Sequence, residues 1–403
     1  MIAEVAAAVL GGLLALGGWE RLQRDRAHAA IPVRVHVNGT RGKSTVTRLI
    51  AAALRAHGTC TVAKTTGTAA RLILPDGSEV PVRRRSTASI REQLWLLREA
   101  RRRGATAVVV ECMAIDPALQ HVSERDMVRA TVGVITNARP DHAEEMGPDA
   151  GSVAAALANT VPAGGLLVLG PDLPHAVFDE EAARLRTTLV RAERESARNL
   201  AEAPLPSWAI DNLAVALAAT RGLGIPDAVA WPAMLAAPTD PGAVTQRECT
   251  IAGRTITVVN GSAANDPESL ALLLAGKMGD EERLFVFNHR TDRPLRLRQF
   301  AESPLWKAPG LSVLITGDTQ DCATRKIVGL ALEAVRVGFA PLPVLARTLR
   351  EQLARDTAVT SLVFCGNTRH LDVAATIASV ADPSQPGASP SGRSGSETGP
   401  GRN

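Results

Sequence analysis

The chain has no tyrosine, and only 3% of its 403 residues are aromatic. Single-stranded nucleic acid is held largely by bases stacked on rings, so a chain this poor in rings is badly equipped to bind it. Net charge is scarce as well: 45 Lys and Arg against 41 Asp and Glu leave +4, short of the basic excess that a phosphate backbone attracts. The runs Arg83-Arg84-Arg85 and Arg101-Arg102-Arg103 read as solvated faces. Nucleic acid is not an expected partner. There is also no CxxC pair: Cys60, Cys112, Cys249, Cys322 and Cys365 are scattered singly. That arrangement provides neither a zinc site nor a disulfide framework, and it fits a reducing cytosolic setting. No repeat of solenoid length is visible.

Long apolar runs are absent except at the start. Residues 2–19 are nearly all Ala, Val, Leu and Gly, with Glu4 as their single charge, approaching the roughly 20 apolar residues that cross a bilayer. Arg21, Arg24 and Arg26 follow, and the positive-inside bias would keep that flank and everything after it in the cytoplasm. Basic residues placed after the run, not before it, disfavour a cleaved signal peptide. An ordinary buried helix is the plainer alternative. The expectation is an anchor over residues 1–20 in the cell membrane, with the catalytic part cytoplasmic.

A chain of 403 residues exceeds what one core usually supports. From Pro32 onward short β-branched runs alternate with longer helical patterns, the signature of an α/β fold with a mostly parallel sheet. Residues 33–37, 107–111, 131–136 and 166–169 are continuous apolar runs suited to strands buried on both faces. Helical spacing occupies 43–57, 90–103 and 153–161, and 72–74 with 80–82 read as a surface hairpin around Pro75-Asp76-Gly77-Ser78. A seam is expected at 238–242, where Pro-Thr-Asp-Pro-Gly cannot continue a helix. Strands at 255–259, 284–288, 312–316 and 361–365 then restart the alternation. The predicted organisation is an ATP-binding domain over 31–243, a smaller α/β domain over 244–382, and a Pro/Ser/Gly-rich disordered tail over 383–403.

The strand at 33–37 runs into Asn38-Gly39-Thr40-Arg41-Gly42-Lys43-Ser44-Thr45 and then a helix. Strand, glycine loop and helix in that order make a phosphate loop: glycines turn backbone N–H groups inward, and the helix N-terminus adds partial positive charge. Lys43 would reach the β- and γ-phosphates of ATP and Ser44 would hold magnesium. The full Walker A pattern has glycine where Val37 stands, so the loop is a shortened variant. A triphosphate site also needs a carboxylate for the metal, and ligands gather at the carboxyl ends of parallel strands. Glu111 closes one apolar strand, and Asn137, Asp141 and His142 close another. Neutral His142 could ligate a metal through one nitrogen while Asp141 or the backbone fixes the other.

These residues resemble the Mur ligase family of ATP-dependent amide ligases and, within it, the poly-γ-glutamate synthase branch. The likeness runs through 38–49, 64–68, 111–114, 146–148 and 240–243, then Asn260-Gly261, 263–266, Asn288, Arg290, Asp292 and Arg293. It implies a P-loop-type, Mur ligase central-domain-like sheet followed by a smaller ligase domain. It implies activation of a glutamate carboxyl as an acyl phosphate by ATP, attack by a glutamate amine, and release of ADP and phosphate. Under it Gly39, Thr40, Arg41, Gly42, Lys43, Ser44 and Thr45 bind the nucleotide, with Asn212 near adenine and Asp266 near ribose. Ser44 and Glu111 hold one magnesium and His142 a second, while Arg290, Asp292 and Arg293 face the reacting groups. Glutamate and poly-γ-glutamate are the implied substrates, with other membrane subunits of a synthase complex as partners. Two departures stand out: many Mur ligases carry a carbamylated lysine, yet no Lys lies between Lys64 and Lys277, and an apolar segment stands where a separate substrate domain is usual. Two other readings use the same loop, a P-loop ATPase powering polymer export and a non-catalytic nucleotide-binding scaffold.

Overall fold

A computed structural model describes residues 2–66, 70–84, 88–202, 205–239, 245–262, 266–274, 282–291, 294–307, 311–318, 336–367 and 370–382. The expected seam at 238–242 lies partly, and the expected tail at 383–403 entirely, outside the described residues.

The first sheet has eight strands: β1 (Val33–Asn38), β2 (Thr61–Lys64), β3 (Arg71–Ile73), β4 (Glu79–Pro81), β5 (Ala107–Glu111), β6 (Val132–Ile135), β7 (Leu166–Leu169) and β8 (Thr188–Arg191). Their order is β4-β3-β2-β5-β1-β6-β7-β8, parallel from β2 to β8 and antiparallel only across β2, β3 and β4. The apolar runs form the centre because both faces are covered. Val35, Val37, Val109 and Val134 pack beneath α2 (Lys43–Ala56) and the helix Ser207–Gly222. On the other side Val62, Val108 and Val110 meet Leu96 and Leu97 of α3 (Glu92–Arg102).

Strands β2 and β8 escape the sequence reading. The hairpin also needs correction: it is no surface appendage, because β3 pairs with β2 and buries Leu72 and Ile73, leaving β4 as the edge. The helix expected at 153–161 starts earlier, at Ala150, where Asp149 caps it by accepting from the Ser152 N–H. The N-terminal helix α1 (Ile2–Ala30) runs past the anchor expected at 1–20 until Ala27, buried like Ile31 beyond it, joins the core under α3.

The second sheet comprises β9 (Thr245–Ile251), β10 (Arg254–Asn260), β11 (Glu282–His289), β12 (Leu311–Gly317), β13 (Arg336–Phe339) and β14 (Val359–Cys365), ordered β13-β12-β11-β14-β10-β9. Only β9 runs antiparallel. The chain's few rings concentrate here: Phe287 lies 5.1 Å from Phe300 and 5.2 Å from Trp306, centroid to centroid. Offset and edge-on rings of this kind add to simple burial.

One buried ion pair ties β1 to the turn Ser123–Val128. His36 Nδ1 lies 2.7 Å from Glu124 Oε2, and the other Glu124 oxygen accepts from the Ala130 N–H at 2.8 Å. Burial alone would lower the His36 imidazole, but the neighbouring Cys112 sulfur and the Glu124 carboxylate more than offset it and push its pKa up to about 10. A folded-state value above the unfolded 6.5 means that the stabilisation is complete below about pH 6.5 and is lost as pH rises through about 10. Chemical denaturation should therefore show unfolding free energy falling across that window. Glu124→Ala should cost about 3–5 kcal/mol, as expected for removing one partner of a buried pair, and should flatten the same pH profile.

Candidate active site

Strand β1 ends at Asn38, and the chain turns through Gly39 and Gly42 into α2. Both glycines are positioned by contact as well as conformation. Gly39 has φ +126°, and a Cβ there would meet Thr136 Oγ1 at 2.1 Å; Gly42 has φ +81°, and its Cβ would meet Asn212 Oδ1 at 2.2 Å. No L-side chain fits either place without displacing a neighbour. Gly42 is the N-cap of α2 and supplies no side-chain cap, so the first N–H groups of that helix are left for an anion. Asn212, expected beside adenine, touches the loop at Gly42.

Asn137, just past β6, holds the loop in shape. Its Oδ1 accepts from Thr40 Oγ1 at 2.7 Å and from the Arg41 N–H at 3.2 Å, and its Nδ2 donates to the Arg41 carbonyl at 3.0 Å. Thr136 Oγ1 donates to that same carbonyl at 2.6 Å. On the other side Asn38 donates to Gln120 Oε1 at 2.8 Å and accepts from the Gly39 N–H at 2.8 Å. The loop's backbone polar groups are thus satisfied from neighbouring strand ends while its concave face stays open.

Lys43 folds back on that face, donating from Nζ to the Gly39 carbonyl at 2.7 Å. Ser44 Oγ donates to Glu111 Oε2 at 2.7 Å, and the Thr66 N–H donates to the same oxygen at 2.7 Å. This follows from register, since Val37 on β1 pairs with Glu111 on β5. Gly39, Thr40, Lys43, Glu111, Asp141 and His142 line one cavity of about 220 Å³. His142 adopts a left-handed φ of 51°, with Nε2 3.7 Å from Asp141 Oδ2 and Nδ1 4.0 Å from Glu145 Oε2. Thr45 lies half-buried in the first turn of α2.

The donor set suits magnesium. Among the described residues no three His, Cys, Asp or Glu side chains converge on one point; a hydroxyl–carboxylate pair at a phosphate loop is what an ion needs when it keeps waters and takes phosphate oxygens.

Arg41 turns away from the cavity and spans the two halves of the chain. Its Nη1 donates to Asp141 Oδ2 at 2.7 Å, and its Nη2 and Nε donate to Asp266 Oδ2 at 2.7 and 3.1 Å. Asp266 is also the cap of the helix Pro267–Leu274, accepting from the Ser269 N–H at 2.7 Å. Burial alone would raise the Asp141 carboxyl, but Arg41, reinforced by His142 and Arg296, more than offsets it and holds the pKa down at about 2. The same two carboxylates raise Arg41 against its own burial.

Arg290 is half-buried just past β11; Asp292 and Arg293 lie outside the described residues, as do Gly67, Thr68, 240–243, 263–265 and Lys277. Arg296, whose charge acts on Asp141 and whose Nη1 donates to the Gly366 carbonyl at 3.1 Å, escapes the sequence reading because nothing but its place in the fold separates it from Arg298 on the helix Pro294–Glu302. Asn137 shows in sequence only as a polar residue at a strand end. Replacing it with Ala would leave the Arg41 N–H and carbonyl short of partners, at a cost of about 1–3 kcal/mol. Amide exchange at Thr40 and Arg41 should quicken correspondingly, while protection in the core of β1 stays unchanged.

Comparison with known proteins covers both halves of the chain. Residues 37–201 match the Mur ligase middle domain, and residues 247–379 match the poly-gamma-glutamate synthase CapB C-terminal domain. The PGA synthase CapB of Bacillus subtilis (strain 168) is 35% identical over 320 residues, covering 77% of this chain and 80% of the relative. The capsule biosynthesis protein CapB of Bacillus anthracis is 35% identical over 319 residues, covering 76% and 68%. Among solved structures, a bifunctional folylpolyglutamate synthase/dihydrofolate synthase with Mn, AMPPNP and L-glutamate bound aligns with a TM-score of 0.62 at 19% identity over 89% of this chain and 92% of that one. MurF from Acinetobacter baumannii aligns with a TM-score of 0.63 at 15% identity over 91% and 80%. At these identities the structures establish the fold; the sequence relatives establish the lineage, and the chain belongs to the CapB family of poly-γ-glutamate synthases.

Proposed function

We propose that the protein is an ADP-forming amide ligase of poly-γ-glutamate synthesis, joining an ATP-activated glutamate carboxyl to a glutamate amine. The observation that carries this reading is that Lys43, at the uncapped start of α2, and Glu111, to which Ser44 is bonded, line one cavity. A carboxylate oxygen is a poor leaving group and a phosphate is a good one, so the chemistry consists of placing a γ-phosphate against a carboxylate and stabilising the charge that develops.

Magnesium, bound through Ser44 and Glu111 with His142 as the candidate holder of a second ion, would supply charge neutralisation to the transferring phosphoryl. The residues do the rest. Lys43 exchanges the Gly39 carbonyl for the β- and γ-oxygens, a move that costs one hydrogen bond and gains a charge-assisted contact. Backbone N–H groups at the uncapped start of α2, from Lys43 onward, face the triphosphate. Asn212, against Gly42, borders the nucleotide on its outer side, and Asp266 reaches the same region from the second half. Arg290 and Arg293 are the candidate cations for holding the incoming carboxylates.

The apolar part of α1 fits a membrane anchor. The helix is long and apolar enough to cross a bilayer by length and composition, and Val5, Val9, Leu10, Leu13, Leu14, Leu16 and Trp19 are all exposed. Anchoring would hold the ligase at the cytoplasmic face of the cell membrane beside other membrane subunits of a synthase. Liposome flotation of the full chain tests this directly, recovery in the unbound fraction being the contrary result.

With ATP, magnesium and glutamate, the full chain should release ADP in step with an isopeptide product. ATP hydrolysis without any amide product would overturn the ligase reading. Lys43→Ala should lower glutamate-dependent ADP release by at least about 100-fold, on the order of 3 kcal/mol of lost transition-state stabilisation, with an unchanged melting temperature. Glu111→Gln should shift the magnesium titration of activity to higher concentration; an unshifted curve would make Glu111 a structural residue.

A further inference from the structure

Arg84, from the basic run at 83–85, lines the same cavity as Lys43, Glu111 and His142. Its Nε and Nη2 donate to the two oxygens of Glu92 at 2.8 and 3.2 Å. Glu92, on the first turn of α3, is already taken: Lys64 Nζ lies 2.8 Å from its Oε2, and the Ser89 N–H points at its Oε1 from 3.4 Å. Lys64 is completely buried at the end of β2, while the Arg84 side chain is 27% exposed. Two cations therefore share the Glu92 carboxylate, with Glu111 also acting on Lys64, and Arg84, held through its Nε and Nη2, lines the cavity.

The lining of the cavity narrows the choice of anion. Arg84 shares it with Lys43 and Glu111, so a substrate unit with one carboxylate on Arg84 would turn its other end toward the groups proposed to hold the γ-phosphate.

We propose that Arg84, backed by Glu92 and Lys64, is a carboxylate subsite that takes the non-reacting α-carboxylate of the glutamate unit being activated. This rests on the ligase reading above. The planar guanidinium suits a carboxylate because it offers paired donors in a fixed fork. Lys64 and Glu92 are positioning residues: Lys64 shares Glu92 with Arg84 and fixes that carboxylate in place, and Glu92 holds the fork at the cavity. The subsite would select acids carrying a second carboxylate and would keep the reacting one at the end that holds Lys43 and Glu111.

The test uses the full chain, with glutamate and its α-amide compared in wild type, Arg84→Gln and Arg84→Lys. In wild type the α-amide should show a KM for ADP release about 10–100-fold above that of glutamate, the range expected for one hydrogen bond to a charged group. In Arg84→Gln the glutamate KM should rise by that factor, the KM for ATP should not move, and the preference for glutamate over its α-amide should vanish. Arg84→Lys should restore part of the preference. Because that preference is a ratio measured within one protein, partial misfolding cannot imitate its loss; a preference retained in Arg84→Gln overturns the proposal. Calorimetric titration of glutamate onto the same proteins decides the subsite independently of turnover. Weaker binding to Arg84→Gln supports it and equal binding refutes it, so absence of ADP release from wild type would count against the ligase reading alone.

Discussion

Parallel pairing of β1 between β5 and β6 is the constraint on which the site depends. Parallel neighbours bring equivalent ends together, so the carboxyl ends of three adjacent strands deliver the loop at Gly39, the carboxylate of Glu111 and the amide of Asn137 to one edge. A slip of one residue between β1 and β5 would turn Glu111 to the opposite face of the sheet. The register is protected by burial: Val35 and Val37 pack against α2 while His36, between them, is fixed from the other side by Glu124. Apolar packing and the buried ion pair thus specify the same alignment, and the chemistry inherits it.

Arg41 carries the second half of the chain to that edge. A surface guanidinium with two carboxylates would contribute little, but here the side chains are at most 15% exposed and come from the loop, from the turn after β6 and from the cap of the helix Pro267–Leu274. Asp266 serves two roles with two oxygens, Oδ1 for its own helix and Oδ2 for Arg41. Arg41 and Asp266 thereby join the loop to the second sheet, alongside the charge of Arg296 on Asp141.

How much of this could be read in the sequence follows from what each element must do. Strands β1, β5, β6 and β7 are buried on both faces and therefore apolar throughout, which makes them legible. Strand β2 is Thr-Val-Ala-Lys and closes on a buried lysine, a residue that no hydropathy reading places inside. Strand β9, Thr-Gln-Arg-Glu-Cys-Thr-Ile, is an edge strand whose polar sequence is tolerated because it pairs on one side only. The phosphate loop was legible because its glycines, lysine and serine are adjacent in the chain. The Arg41 bridge and the Arg84 cluster were not, since their partners lie 225 residues away in one case and across a strand–helix corner in the other. Sequence shows which residue types a site holds; which carboxylate an arginine reaches is decided by tertiary packing.

The same distinction bears on the N-terminal helix. Its composition suggested a segment ending near residue 20, but the helix is continuous to Ala30 and its last turns are anchored. His28 Nε2 lies 2.8 Å from the Met127 carbonyl, Arg34 Nη1 donates to the Ile31 carbonyl at 2.6 Å, and Arg101 reaches Gln23 at 3.2 Å. Burial lowers the His28 imidazole while the bond to Met127 opposes that shift, so this contact does not require a charged ring. With no flexible linker between the apolar segment and the first sheet, the direction in which residues 4–22 project is set by α3 and the turn at 127–129.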